Sequence, residues 1–145
     1  MSDIKMTSSW TGGFKGEGKI EGEGWNVGIG IPTDLGGSGA GADPKSLFTA
    51  STLACFTATL RAITENKKVP VKSIDVETFA VATDKEFSIH HRAKLVMEAN
   101  ATAEDFSAAE AAVATADKVC VVGNLAKKAG VIIEVTPEIT AAADA

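Results

Sequence analysis

The chain has 145 residues, 45% of them apolar and 23% charged, with a net charge of −5. This suits one domain with its own core, expected to span 1–145, and argues against a disordered chain. Guanidinium comes only from Arg61 and Arg92 and the lysines are scattered, so no basic face for nucleic acid is expected. The start, Met1-Ser2-Asp3-Ile4-Lys5, lacks the apolar stretch of a secretion signal, and no 18 consecutive residues are all apolar. A cytoplasmic location away from membranes is expected.

The first thirty residues read as β-structure. A glycine turn falls within Trp10-Thr11-Gly12-Gly13-Phe14, and Lys15 to Glu23 alternates charge with glycine. Glycine inside a strand points to bending or close backbone approach. From Trp25 to Ile31 the apolar residues recur every second position, which predicts a strand with one buried face. A glycine-rich stretch from Leu35 to Ala42 follows and reads as a flexible loop. Asp43-Pro44 then supplies an N-cap and a first helical residue, and the helix that starts at Pro44 runs through Ile63. Almost every face of it is apolar or small, so burial on all sides is expected. Asn66 and Lys67-Lys68 look like its end.

Val71 to Thr83 alternates again, with Ile74, Val76 and Thr78 on one face and Phe79 and Val81 on the other. Asp84-Lys85-Glu86 makes a turn into a second strand over 87–99, giving a hairpin. Thr102 with Asp105 resembles a capping box ahead of an alanine-rich helix over 103–116. A shorter helix is expected over 119–128, with Gly130 as its C′ residue. Val131 to Val135 reads as the last strand, and the tail beyond Pro137 as frayed. The order β-β-β-α-β-β-α-α-β is that of an α+β fold.

Few residues here offer chemistry. The glycine loop fits neither nucleotide-binding fingerprint: Ala42, Asp43 and Pro44 separate Gly41 from Lys45-Ser46, and an aspartate cap would repel phosphate. Ser38 within Gly37-Ser38-Gly39 lies too far before the helix for a nucleophile elbow. His90 and His91 are neighbours on a strand and so point to opposite faces. Solvated strand histidines are the plain reading, although one of them could approach a cysteine. Neither cysteine has a partner at metal-ligand spacing, and no metal or cofactor is expected.

Cys55 and Cys120 remain. Free cysteine is among the most buried residue types, so two inert core thiols are the plain reading. In a reducing compartment a pair that does react is catalytic or sensing rather than a structural staple. Cys120 falls near a helix start with Lys118 close by, which favours its thiolate. Cys55, within an apolar helix, would have a raised pKa unless a cation reaches it. On these grounds alone Cys120 is the more reactive thiol.

Asp43-Pro44-Lys45-Ser46-Leu47-Phe48-Thr49-Ala50-Ser51-Thr52-Leu53-Ala54-Cys55-Phe56 resembles the Asn-Pro-Glu-x-Leu-(Phe/Leu)-x-Ala-x-x-x-x-Cys-Phe segment of the OsmC/Ohr family. Cys120-Val121-Val122-Gly123-Asn124-Leu125 looks like that family's Cys-Pro-(Ile/Val)-Ser-x-x-(Leu/Ile). The resemblance implies an OsmC-like fold, with antiparallel sheets wrapped around a long buried central helix, in an intertwined homodimer. It also implies reduction of organic hydroperoxides. Cys55 would attack as thiolate and become a sulfenic acid, Cys120 would condense with it to a disulfide, and a dithiol or lipoylated-protein reductant would restore both. This order reverses the ranking drawn from the helix start.

Two departures stand out. The family's peroxidases activate the first thiolate with an Arg held by the Glu of Pro-Glu. Here Lys45 occupies the Glu position, Phe14 follows Gly12-Gly13 where one Arg would stand, and Val27 to Ile31 lacks the other. Lys45 is the candidate replacement cation. Ten residues of continuous helix rise about 15 Å, so it would need a helix break or a lysine from the partner subunit. The alternative function is an OsmC-like protein that binds a small molecule or senses redox state without peroxidase turnover.

Overall fold

The structure is a computed structural model and describes residues 3–142. Met1 and Ser2, from the start read as lacking a secretion signal, and residues 143–145 of the tail lie outside the described residues. The chain forms two compact units, Met1–Phe48 and Thr49–Ala145.

The first unit carries an antiparallel meander of β1 (Thr7–Thr11), β2 (Glu17–Gly22) and β3 (Trp25–Ile29). The strand glycines act as expected. A Cβ on Gly18 would come within 2.6 Å of the Trp10 ring and 2.8 Å of Ile29, so β2 admits only glycine there. The buried face expected at Trp25 is partial, since Trp25 is exposed while Val27 and Ile29 are half-buried. Nor is the glycine-rich stretch simply loose. Ala42 N–H donates to Gly28 O at 2.8 Å, Gly39 N–H to Ile31 O at 3.0 Å, and Ala42 bridges Ile29 in parallel. Its glycines let it run back along β3 at a separation no side chain would allow.

Helix α1 (Pro44–Asn66) begins at the expected proline. Asp43 caps it, accepting from the Ser46 hydroxyl and from the backbone N–H groups of Ser46 and Lys45. It ends in a Schellman arrangement: Val69 N–H reaches Thr64 O at 2.9 Å and Lys68 N–H reaches Glu65 O at 3.1 Å, with Lys68 at φ 56°. Burial on all sides is not what this chain provides. Only the stripe Thr52, Phe56, Leu60 and Thr64 is buried, whereas Ser51, Ala54, Ala58 and Ala62 are exposed. By length and composition α1 is also sufficient to cross a membrane, with a mean hydropathy of 1.2 over its best window. The core packing of Phe56 and Leu60 is what a helix inside a protein shows.

The second unit holds β4 (Val71–Ala82), β5 (Phe87–Met97), α2 (Ala103–Val119), α3 (Val121–Lys128) and β6 (Ile132–Ala141) in a sheet of order β4-β5-β6. The hairpin β4–β5 is antiparallel as expected. β6 runs parallel to β5, from Ser88 opposite Ile132 to Met97 opposite Ala141, which corrects the expectation of purely antiparallel sheets. The two helices form the crossover that a parallel neighbour requires. β6 also continues through Pro137, where fraying was expected. It is an edge strand, on which a residue without N–H is tolerated.

The core of this unit comprises Phe56 and Leu60 of α1, Ala93, Leu95 and Met97 of β5, and Ala109, Ala112, Val113 and Ala116 of α2. α2 opens with the expected capping box, in which Asp105 N–H donates to Thr102 Oγ1 at 3.2 Å and Thr102 N–H to Asp105 Oδ2 at 2.9 Å. The strict alternation of β5 buries Ile89, His91, Ala93, Leu95 and Met97. His91 is therefore a core residue rather than a solvated one, 1% exposed. Its ring stacks on Phe56 with centroids 5.3 Å apart, and its Nδ1 lies 2.8 Å from Thr78 Oγ1.

Two predictions follow from this core. Leu60→Ala removes a fully buried side chain and is expected to cost about 2–5 kcal/mol in denaturant unfolding. Burial holds the His91 pKa below 6.5, opposed by Asp117 and reinforced by His90. The unfolded chain therefore takes up this proton first as pH falls. Stability contributed by neutral His91 should be complete above about pH 6.5 and decline below it, and His91→Gln should flatten that decline.

Candidate functional site

Cys55 lies mid-way along α1, half-buried beside the core. Cys120, only 3% exposed, is the single residue between α2 and α3, with φ −64° and ψ 112°. The break falls later than the expected gap at 117–118, because α2 runs through Val119 and α3 starts at Val121. Both thiols are free, and they hydrogen-bond to each other. Two residues far apart in sequence thus form one dithiol site.

The environments of the two sulfurs differ. Burial pushes the Cys55 thiol up, but donors outweigh it: the Cys120 thiol, the backbone N–H groups of Val122 and Val121, and the Thr59 hydroxyl. The net result is a Cys55 pKa below the ordinary cysteine range. Cys120 is pushed up to about 11, first by burial, then by its hydrogen bond to Cys55, with the charges of Cys55 and Asp117 adding to the rise. Only the Gly123 N–H acts in the opposite direction. The sequence-based ranking of the cysteines is thereby overturned. The helix start near Cys120 does favour a thiolate, but its first two N–H groups are aimed at Cys55.

The remaining candidate, Lys45, sits exposed in the first turn of α1, and α1 has no break before Asn66. Thr59 was missed in the sequence, although it stands one helical turn from Cys55. The N–H donors of Val121 and Val122 had no side-chain signal at all. His90 and His91 do face opposite sides, and His90 Nε2 lies 2.7 Å from Thr136 Oγ1. Among the described residues no three His, Cys, Asp or Glu side chains gather as a metal would need.

Residues 36–136 match the OsmC-like protein family. The chain belongs to that family. It is 25% identical over 124 residues to the uncharacterized protein YmaD of Bacillus subtilis (strain 168), covering 81% of each chain. Among solved structures, it resembles an organic hydroperoxide resistance protein OsmC from Legionella pneumophila, with TM-score 0.69, 21% identity, and 95% and 99% of the two chains covered. A hypothetical protein from Aquifex aeolicus VF5 gives TM-score 0.76 at 16% identity over 99% and 100% of the chains. The organic hydroperoxide resistance protein OhrB of Bacillus subtilis gives 0.54 at 18% over 93% and 97%. At these identities the structural likenesses establish the α+β, OsmC-like fold.

The asymmetry of the thiols is directly measurable. Site-resolved alkylation against pH should show Cys55 reacting below the ordinary cysteine range and Cys120 resisting until far above it. Cys55→Ala should lower the Cys120 titration, since hydrogen bonding to Cys55 and its charge both contribute to the rise. An unchanged Cys120 titration would show that burial and Asp117 set it without Cys55.

Proposed function

We propose that this protein is a thiol-dependent peroxidase that reduces organic hydroperoxides through Cys55 and Cys120 in the defence against oxidative stress. The observation that carries the proposal is the shared hydrogen bond between a donor-rich Cys55 and a buried, protonated Cys120. The relatives named for organic hydroperoxide resistance lend it support. In the first step the Cys55 thiolate attacks the terminal oxygen of R–O–O–H. The S–O bond forms, the O–O bond breaks, and the alkoxide leaves as alcohol after taking a proton. Sulfur is oxidised by two electrons to a sulfenic acid. Cys120 then attacks that sulfur, the S–S bond forms, and water leaves with the Cys120 proton. A dithiol or lipoylated-protein reductant returns both thiols by exchange.

The missing guanidinium is met in part within this chain. The N–H groups of Val121 and Val122 and the Thr59 hydroxyl stabilise the Cys55 thiolate as an Arg would, without its charge. With α1 unbroken, any role for Lys45 at Cys55 falls to a second copy. A homodimer is part of the proposal: the exposed small residues Ser51, Ala54, Ala58 and Ala62 would let another helix approach α1 closely. The family match crosses from one compact unit to the other, which supports reading 1–145 as one domain. A cytoplasmic setting suits the reduced thiols.

The absent Arg also favours the second reading, a slow sensor or small-molecule binder. One equivalent of an alkyl hydroperoxide should remove both thiols, lower the mass by two hydrogens and release the alcohol, and a dithiol should then sustain turnover. Oxidation that no dithiol reverses would identify a sensor, and unreacted thiols a binder. A Cys55→Ser variant that still consumes hydroperoxide would overturn the peroxidase proposal.

A further inference from the structure

The first-turn N–H groups of α3 serve Cys55 only if α3 is held at a fixed angle to α2, and little apolar burial holds it. α3 has eight residues, too few to be stable by itself. Its buried residues are Gly123 and Ala126, whereas Val121 and Leu125 are 67% and 60% exposed. Two polar ties run from α3 back to the last turn of α2 instead. Lys127 Nζ pairs with Asp117 Oδ1 at 3.0 Å, both side chains about two-thirds covered. Asn124 Nδ2 donates to Lys118 O at 2.9 Å, satisfying a carbonyl that the end of α2 leaves open.

Asp117 is the telling residue. A carboxylate in the last turn of a helix opposes the macrodipole, so its place is not explained by the stability of α2. The pairing with Lys127 across the Cys120 corner explains it. Gly123 completes the corner: a Cβ there would stand 3.2 Å from Cys120 Sγ, crowding the sulfur against its partner.

We propose that Asp117, Lys127 and Asn124 are positioning residues of the dithiol site, locking the α2–α3 corner so that the Val121 and Val122 N–H groups face the Cys55 sulfur. The proposal deepens the peroxidase reading and rests on it for its biological meaning, but its test does not use turnover.

The test is site-resolved alkylation of Cys55 against pH in the full-length protein, with amide hydrogen exchange at Val121 and Val122. Asn124→Ala removes a neutral group, so any shift it causes is positional rather than a change of charge. It should raise the Cys55 midpoint by about one unit, a roughly tenfold smaller thiolate fraction below that midpoint, and speed exchange at both amides. Lys127→Met should act in the same direction, and Lys127→Arg should restore the original titration. Asn124→Ala carries the test alone if Lys127→Met does not fold. Unchanged Cys55 titration and amide exchange in Asn124→Ala would overturn the proposal. A shifted titration in a protein that consumes no hydroperoxide would leave it standing and remove the peroxidase reading.

Discussion

The N–H groups that open α3 need acceptors, and Cys55 supplies one. A helix start without partners is costly when covered, because each N–H lost to water must be satisfied elsewhere. Cys120 takes the N–H of Gly123 among them, which leaves those of Val121 and Val122. The Cys55 sulfur takes those of Val121 and Val122, and the negative charge it would carry as a thiolate is what a helix N-terminus favours. Helix start and sulfur stabilise each other. The break at Cys120, the placement of α3 and the inequality of the two thiols all depend on that exchange.

The inequality would serve the proposed peroxidase cycle. A pair of thiols with equal pKa values would divide a proton without preference. Here burial and the neighbouring Asp117 keep the proton on Cys120, which can then donate to Cys55. In the proposed cycle the thiol whose pKa is lowered attacks and the thiol whose pKa is raised resolves. A guanidinium is one way to obtain the first condition. Backbone donors are another, and they need no particular side chain at Val121 or Val122, only the right backbone direction.

Helix α1 shows how composition and burial part company. Its residues are apolar or small on nearly every face, yet one stripe meets the core of its own chain. That stripe, led by Phe56 and Leu60, secures the helix and fixes the direction of Cys55 beside it. His91 supports the same region from β5 by stacking on Phe56.

Much of the framework was legible because it is governed by neighbours in sequence. Asp43-Pro44 starts α1, Thr102 and Asp105 cap α2, and the alternation of β4 and β5 sets their inner faces. The cysteine motif ranked Cys55 first, in line with its lowered pKa, where a local electrostatic argument favoured Cys120. Other features were decided by tertiary structure. β6 is parallel because α2 and α3 carry the chain back across the sheet before it pairs, and it passes Pro137 because it lies at an edge. His91 is buried because its face of β5 is covered by α1 and α2, a fact absent from the pair His90-His91 itself. The donors to Cys55 are backbone groups of a distant segment, and a sequence does not show where its N–H groups point. The residues alone thus determined the elements and the candidate thiols. Only the fold, by bringing a helix start to Cys55, decided which thiol has the lower pKa.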